Sequence, residues 1–127
     1  MAIQFKVIEK GQPGVVGGGV KKFYASPVMG QDATLEVLTK GIEKTCTVNG
    51  ADIRAVLYAL VDEAVDDLSE GRIVRLGDLG SLRITLSSEG KATADELTAD
   101  AIKDAGVIFT PDPKLKTMLA DAKFIKE

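Results

Sequence analysis

Ile3, Phe5 and Val7 alternate with Gln4 and Lys6, the two-residue period of a strand with one buried face. The run from Gly11 to Gly19 ends that pattern. It lacks the Gly-Lys-Ser/Thr ending of a phosphate-cradling loop and no helical period follows it, so it reads as a flexible connector. Lys21 to Pro27 resumes as an extended segment, and Pro27, which has no N–H to give a ladder, suits an edge or a strand end. Two helices come next. Thr34 is placed as an N-cap with Glu36 in the first turn, and Leu35, Leu38 and Ile42 share a face. Asn49 caps the second helix, where Ile53, Val56, Leu57, Leu60, Val61, Ala64, Val65 and Leu68 recur at three- and four-residue spacing. Gly71 follows as a C′ glycine.

After Gly71 the period returns to two. Arg72–Leu76 and Ser81–Leu86 read as strands joined across the turn Gly77–Gly80, with Leu82, Ile84 and Leu86 facing one way and Arg83 and Thr85 the other. Thr93 and Glu96 have capping-box spacing, which predicts a short helix to Asp104 closed by Gly106. Val107–Thr110 is a further apolar strand, ended by Pro111 and Pro113. Leu115, Met118 and Leu119 then fall at helical spacing, and Phe124 and Ile125 close the chain. The predicted order is strand–strand–helix–helix–strand–strand–helix–strand–helix, an α+β domain without internal repeats.

Composition narrows the chemistry. At 127 residues with 45% hydrophobic content the chain can bury a core without metal or disulfide. The single cysteine, Cys46, excludes an intramolecular disulfide and reads as a small core residue at the end of the first helix. There is no histidine, so the usual general base and the commonest zinc ligand are both missing. The carboxylates Asp62, Glu63, Asp66, Asp67 and Glu70 lack the spacing of a calcium loop and read as a solvated helix face. Neither an enzyme nor a cofactor, metal or small-molecule substrate is expected. No apolar run is long enough for a membrane span and the N-terminus lacks a signal-peptide core, so the expected location is cytoplasmic.

Charge is unevenly spread around a formal net of −3. Residues 1–30 carry Lys6, Lys10, Lys21 and Lys22 against Glu9 alone. Residues 31–71 carry Lys40, Lys44 and Arg54 against nine carboxylates. Residues 72–110 are nearly balanced, and 111–127 hold Lys114, Lys116, Lys123 and Lys126 against three carboxylates. A polyanion would be repelled by the middle of the chain and tolerated by the N-terminal segment, the strands after Gly71 or the C-terminal tail.

The stretch Leu35–Gly80 resembles the HU/integration-host-factor family of bacterial architectural DNA-binding proteins: a helical hairpin, then Glu70-Gly-Arg-Ile-Val-Arg-Leu-Gly-Asp-Leu-Gly-Ser-Leu82. The family's turn glycines fall on Gly77 or Asp78 and Gly80, its aromatic positions on Leu79 and Leu82, and Pro113-Lys-Leu-Lys116 is similar to the opening of its last helix. Lys21–Pro27 and Phe109-Thr-Pro111 suit an HU-related branch with an N-terminal extension. The resemblance implies an HU/IHF-like fold with a helical hairpin, a short antiparallel β-sheet and a C-terminal helix, interlocked as a homodimer. It also implies nucleoid localisation and binding to double-stranded DNA, distorted DNA included. Residues 1–30 would then be N-terminal strands with a glycine-rich connector, and 31–127 the HU-like domain.

A two-helix layer with a few short strands cannot cover its own apolar face, so Leu57, Leu60, Leu79, Leu82, Ile84 and Phe109 are expected in a dimer core. The alternative is a monomer covered by the strands at 3–8 and 21–27. Arg72, Arg75, Arg83, Lys91, Lys114 and Lys116 are the candidate phosphate contacts, with solvated charges or internal ion pairs as the competing reading. The family's β-ribbon arm carries arginines and Arg-Asn-Pro. Leu86–Val107 here has neither and holds Glu89, Asp95, Glu96, Asp100 and Asp104 against Lys91 and Lys103, so an acidic helix is expected in its place and the residues for strong bending are missing. A dimeric protein-interaction scaffold that has lost DNA binding is the alternative function.

Overall fold

A computed structural model describes residues 2–11 and 14–127. Gln12 and Pro13, within the run read as a connector, lie outside the described residues, as does Met1. The chain divides into two compact units, Met1–Asp32 with Met118–Glu127, and Ala33–Thr117.

In the first unit β1 (Ala2–Lys10) is the central strand of a three-stranded sheet. It pairs antiparallel with β2 (Lys22–Pro27) and parallel with β6 (Lys123–Lys126). Pro27 stands at the end of an edge strand, opposite Phe5, where its missing donor breaks no ladder. The glycine run turns the chain between β1 and β2, with Gly14, Gly17, Gly18 and Gly19 all at positive φ, a conformation that other residues enter at a cost. Phe124 and Ile125 are therefore strand residues. The helix expected at Leu115–Leu119 forms over Pro113–Ala120, and the segment after it, to which the sequence pattern assigns no element, completes the open edge of β1.

The second unit opens with the hairpin α1 (Leu35–Thr45) and α2 (Gly50–Ser69). Both predicted caps are made: the Thr34 hydroxyl accepts from the Val37 N–H at 3.3 Å, and the Asn49 side chain accepts from the Asp52 N–H at 3.0 Å. Thr39 is fully buried, with its hydroxyl donating to the Leu35 carbonyl at 2.7 Å. Gly50 is buried against Thr39 and the Glu43 carboxylate, the free end of an exposed side chain. Cys46 caps the end of α1 but is exposed, contrary to its reading as a core residue. It borders an open apolar groove formed with Ile42, Val48, Ile53, Val56 and Leu57, so the hairpin of one chain does not close over it.

The remaining strands of this unit form the sheet β3 (Val74–Arg75), β4 (Gly80–Ser88) and β5 (Ile102–Pro111), antiparallel throughout. The helix expected over 93–104 is not formed. Thr93 makes no side-chain capping bond, and two short 3-10 turns, Ala94–Glu96 and Ala99–Ala101, lead straight into β5. The window holds only Leu97 and Ile102 as large apolar residues, five apart, so a helix there would have no face to bury. Pairing with β4 satisfies the backbone instead, out to Ser88 opposite Ile102, past an irregularity at Ser87/Ser88. Gly106, read as a helix stop, lies within the strand opposite Thr85.

The turn before β4 fixes the start of this sheet. The Leu76 N–H donates to the Gly80 carbonyl at 2.8 Å, and Gly77 and Gly80 have φ of 61° and 156°. A Cβ on Gly80 would run into the Phe109 ring and the Thr110 carbonyl, whereas one on Gly77 would meet open space. Gly80→Ala is therefore expected to lower stability by about 2–3 kcal/mol and Gly77→Ala by about 1 kcal/mol, read by urea unfolding. Equal effects would place the constraint in the backbone angles alone.

Candidate functional site

Strand register decides which basic residues can act together. Arg75 pairs with Ser81, and Arg83 follows two residues along β4, so the two guanidinium groups leave the same face of the sheet from diagonal positions, roughly 7–8 Å apart at the backbone. Ser81, Thr85 and, on β5, Thr110 and Ile108 share that face. Both arginines are exposed, and among the described residues neither is in an ion pair. The nearest carboxylate on the same paired positions is Asp104, opposite Ser87, and it accepts a hydrogen bond from the Ala105 N–H at 2.9 Å.

The other sequence candidates are placed differently. Arg72 is tied to its own helix end, with 3.1 Å contacts to Asp67 and to Glu70, so its charge is largely neutralised locally. Lys91 lies in the loop beyond β4 and meets Glu89 at 3.3 Å. Lys114 and Lys116 stand in the first turn of α3 (Pro113–Ala120). Two residues apart on a helix is a rotation of about 200°, so they project to opposite sides and cannot both engage one flat surface. Asp112 adds a carboxylate at the start of that helix, which opposes an anion there. Arg72→Ala is accordingly expected to change affinity for any polyanion less than about twofold, measured by anisotropy beside Arg83→Ala. A larger loss would mean that the Asp67 and Glu70 contacts break on binding.

The reverse face of the sheet is apolar. Val74 and Leu82, Leu82 and Phe109, and Ile84 and Val107 are paired positions, with Leu86 continuing the row. Ile84, Leu86, Val107 and Phe109 are all exposed in the single chain. Of the expected dimer core, Leu82, Ile84 and Phe109 share this face, Leu79 sits in the turn before it, and Leu57 and Leu60 lie on α2. Among the described residues the buried apolar side chains are Ile53 and Ala101. Also among these residues, no group of three or more carboxylates or cysteines is placed to hold a metal ion, and no helix is long and apolar enough to cross a membrane.

Sequence reasoning missed that the acidic stretch after Leu86 is a two-stranded ribbon with a loop at its end. The strands Ser81–Leu86 and Val107–Thr110 were legible, but their extensions to Ser88 and back to Ile102 carry no two-residue alternation, and the capping-box spacing competed with them.

No curated protein matches the chain. Among solved structures it matches a candidate bacterial DNA-binding protein of Bacteroides vulgatus ATCC 8482 with a TM-score of 0.61, at 15% identity over 99% of this chain. It spans about half of that protein, 49% of its length, so the likeness concerns the fold of that portion. Residues 1–126 match the family described as HU-HIG, an HU domain fused to a wHTH, Ig or glycine-rich motif, and with nearly its whole length so matched, alongside the helical hairpin and the glycine turn, the chain belongs to that family.

Proposed function

We propose that this chain binds double-stranded DNA without reading its sequence, as a homodimer acting on the nucleoid in the cytoplasm, with Ala33–Thr117 as the binding part. One observation carries the reading: Arg75 and Arg83 stand on neighbouring strands, exposed and, among the described residues, in no ion pair, on the side of the sheet opposite its apolar face. Membership of a family built on the HU domain and likeness to a candidate DNA-binding protein support it. No asparagine or glutamine lies on the paired positions of that face, so the contacts fall on phosphates and discriminate little between sequences.

Exposed surface supports the dimer. A compact monomer of 13.4 kDa exposes about 6,500 Å², and two compact domains of these sizes about 7,700 Å² between them. The single chain exposes 10360 Å², with Leu60, Ile84, Leu86 and Phe109 among the exposed side chains. The apolar side chains within that surplus are what a partner copy would remove from water.

The loop at the end of the β4–β5 ribbon holds Glu89, Asp95, Glu96 and Asp100 against Lys91, so it is repelled by a minor groove and bends DNA weakly. The acidic outer face of α2, with Asp62, Glu63 and Asp66, favours the second reading, a protein-binding dimer. Fluorescence anisotropy with a four-way junction and a plain duplex, titrated from low to physiological salt, separates the two. Binding with a steep salt dependence and a preference for the junction is expected. No binding at low salt would leave the protein-binding reading.

A further inference from the structure

The sheet of the first unit also has two unlike faces. Ile3, Phe5 and Val7 line one of them with Phe23, Ala25 and Phe124 from the neighbouring strands. The register places Lys6 and Lys10 on the other, with Lys22 and Tyr24 across β2 and Lys123 across β6. Lys10 pairs directly with Lys22, Tyr24 pairs with Ile8 between Lys6 and Lys10, and Lys123 pairs with Ala2. The paired positions within β1, β2 and β6 hold no carboxylate on this face; Glu127, just past β6 with its N–H donating to the Phe5 carbonyl at 2.8 Å, falls beside Lys6, and among the described residues none of the four lysines is in an ion pair. All four are exposed, and Tyr24 is 39% exposed.

We propose that this lysine face binds single-stranded nucleic acid, with backbone phosphates on Lys6, Lys10, Lys22 and Lys123 and a base stacked on Tyr24. A solvated sheet face with no ligand gains nothing from like charges directly opposite one another; such a pair weakens the strand pairing, and alternating signs would strengthen it. A bound phosphate turns the Lys10–Lys22 repulsion into attraction. The aromatic ring set among the lysines distinguishes the occupant. In a duplex the base faces are stacked on one another and out of reach, whereas a single strand offers them to a sheet-borne ring flanked by cations. Lysine contributes compact charge without the planar fork that reads base edges, so the face tolerates any sequence. It uses no residue of the Arg75–Arg83 face and stands independently of it.

The test is anisotropy on the full chain with a labelled oligo-dT strand and a duplex of equal length, at low salt. Tyr24→Leu is expected to weaken oligo-dT binding about 5- to 150-fold while Tyr24→Phe keeps it, with duplex affinity unchanged in both. K10Q/K22Q should lower the salt slope for oligo-dT by about 1.4. It should also hold or raise the melting temperature, since it removes a repulsive pair, so it decides the matter even if Tyr24→Leu disturbs the sheet. R75E/R83E should lose the duplex and keep oligo-dT. Absence of oligo-dT binding by the unaltered chain, an unchanged oligo-dT affinity in K10Q/K22Q, or equal loss of both ligands in Tyr24→Leu overturns the proposal.

Discussion

Reversing both arginines of the β3–β4 face, as R75E/R83E, is expected to weaken duplex DNA binding by about a hundredfold or more at low salt, with little change in melting temperature. In a homodimer the change touches four cations. If each holds one phosphate, the unaltered protein should show a slope of log affinity against log salt of about −3.6. The double variant loses that dependence and adds four negative charges facing the polyanion. Stability is spared because both side chains are exposed and neither is in an ion pair among the described residues. Arg75→Ala or Arg83→Ala alone should reduce the slope by about 1.8, two phosphates per dimer. Anisotropy across a salt series reads all three. Unchanged affinity in R75E/R83E would move the contact away from this face, and a collapsed melting temperature would mean that the arginines serve the fold.

The sequence made the helical hairpin legible because its signals are local. Thr34 and Asn49 are caps whose partners lie three residues away, and both bonds form as the spacing implies. The turn at Gly77–Gly80 was legible for the same reason. What failed was a contest between a local signal and a distant one. Thr93 and Glu96 have the spacing of a capping box, yet the backbone beyond them finds its partners on β4, some fifteen residues earlier at Ser88 and Ser87. β6 is a purer case: four residues at the end of the chain complete a sheet whose central strand begins at residue 2. No periodicity within the segment could name that partner.

The site divided along the same line. Arg75 and Arg83 were readable as basic strand positions, but their common face depends on Arg75 pairing with Ser81, a register that follows from the geometry of the turn. Arg72 and Lys91 looked equivalent in sequence, and their neutralisation comes from carboxylates within a few positions, Asp67, Glu70 and Glu89, whose reach only side-chain geometry fixes. The lysines of β1, β2 and β6 were visible as an excess of positive charge, not as a surface. Three separate segments had to be brought into one register before Lys10 met Lys22.

Aspartate at two adjacent positions should separate assembly from binding. Leu82 and Arg83 are consecutive on β4, so their side chains leave opposite faces of the same sheet. Leu82→Asp puts a carboxylate between Val74 and Phe109, in the middle of the apolar row, with no basic residue among its paired neighbours. Covered by a second copy, that charge is buried unpaired, at about 3–5 kcal/mol per protomer. Two such sites per dimer weaken association by several orders of magnitude, and the mass measured by light scattering should fall to that of one chain or the protein should unfold. Arg83→Asp, one residue further, changes an exposed side chain; it should keep the dimer mass and melting temperature while losing DNA affinity. The contrast is informative because propensity and strand position are nearly the same at both sites, and only the face differs. A Leu82→Asp protein with unaltered mass and stability would show that the apolar face is not where two chains meet. An Arg83→Asp protein that dissociates would show that the interface and the proposed DNA surface are one.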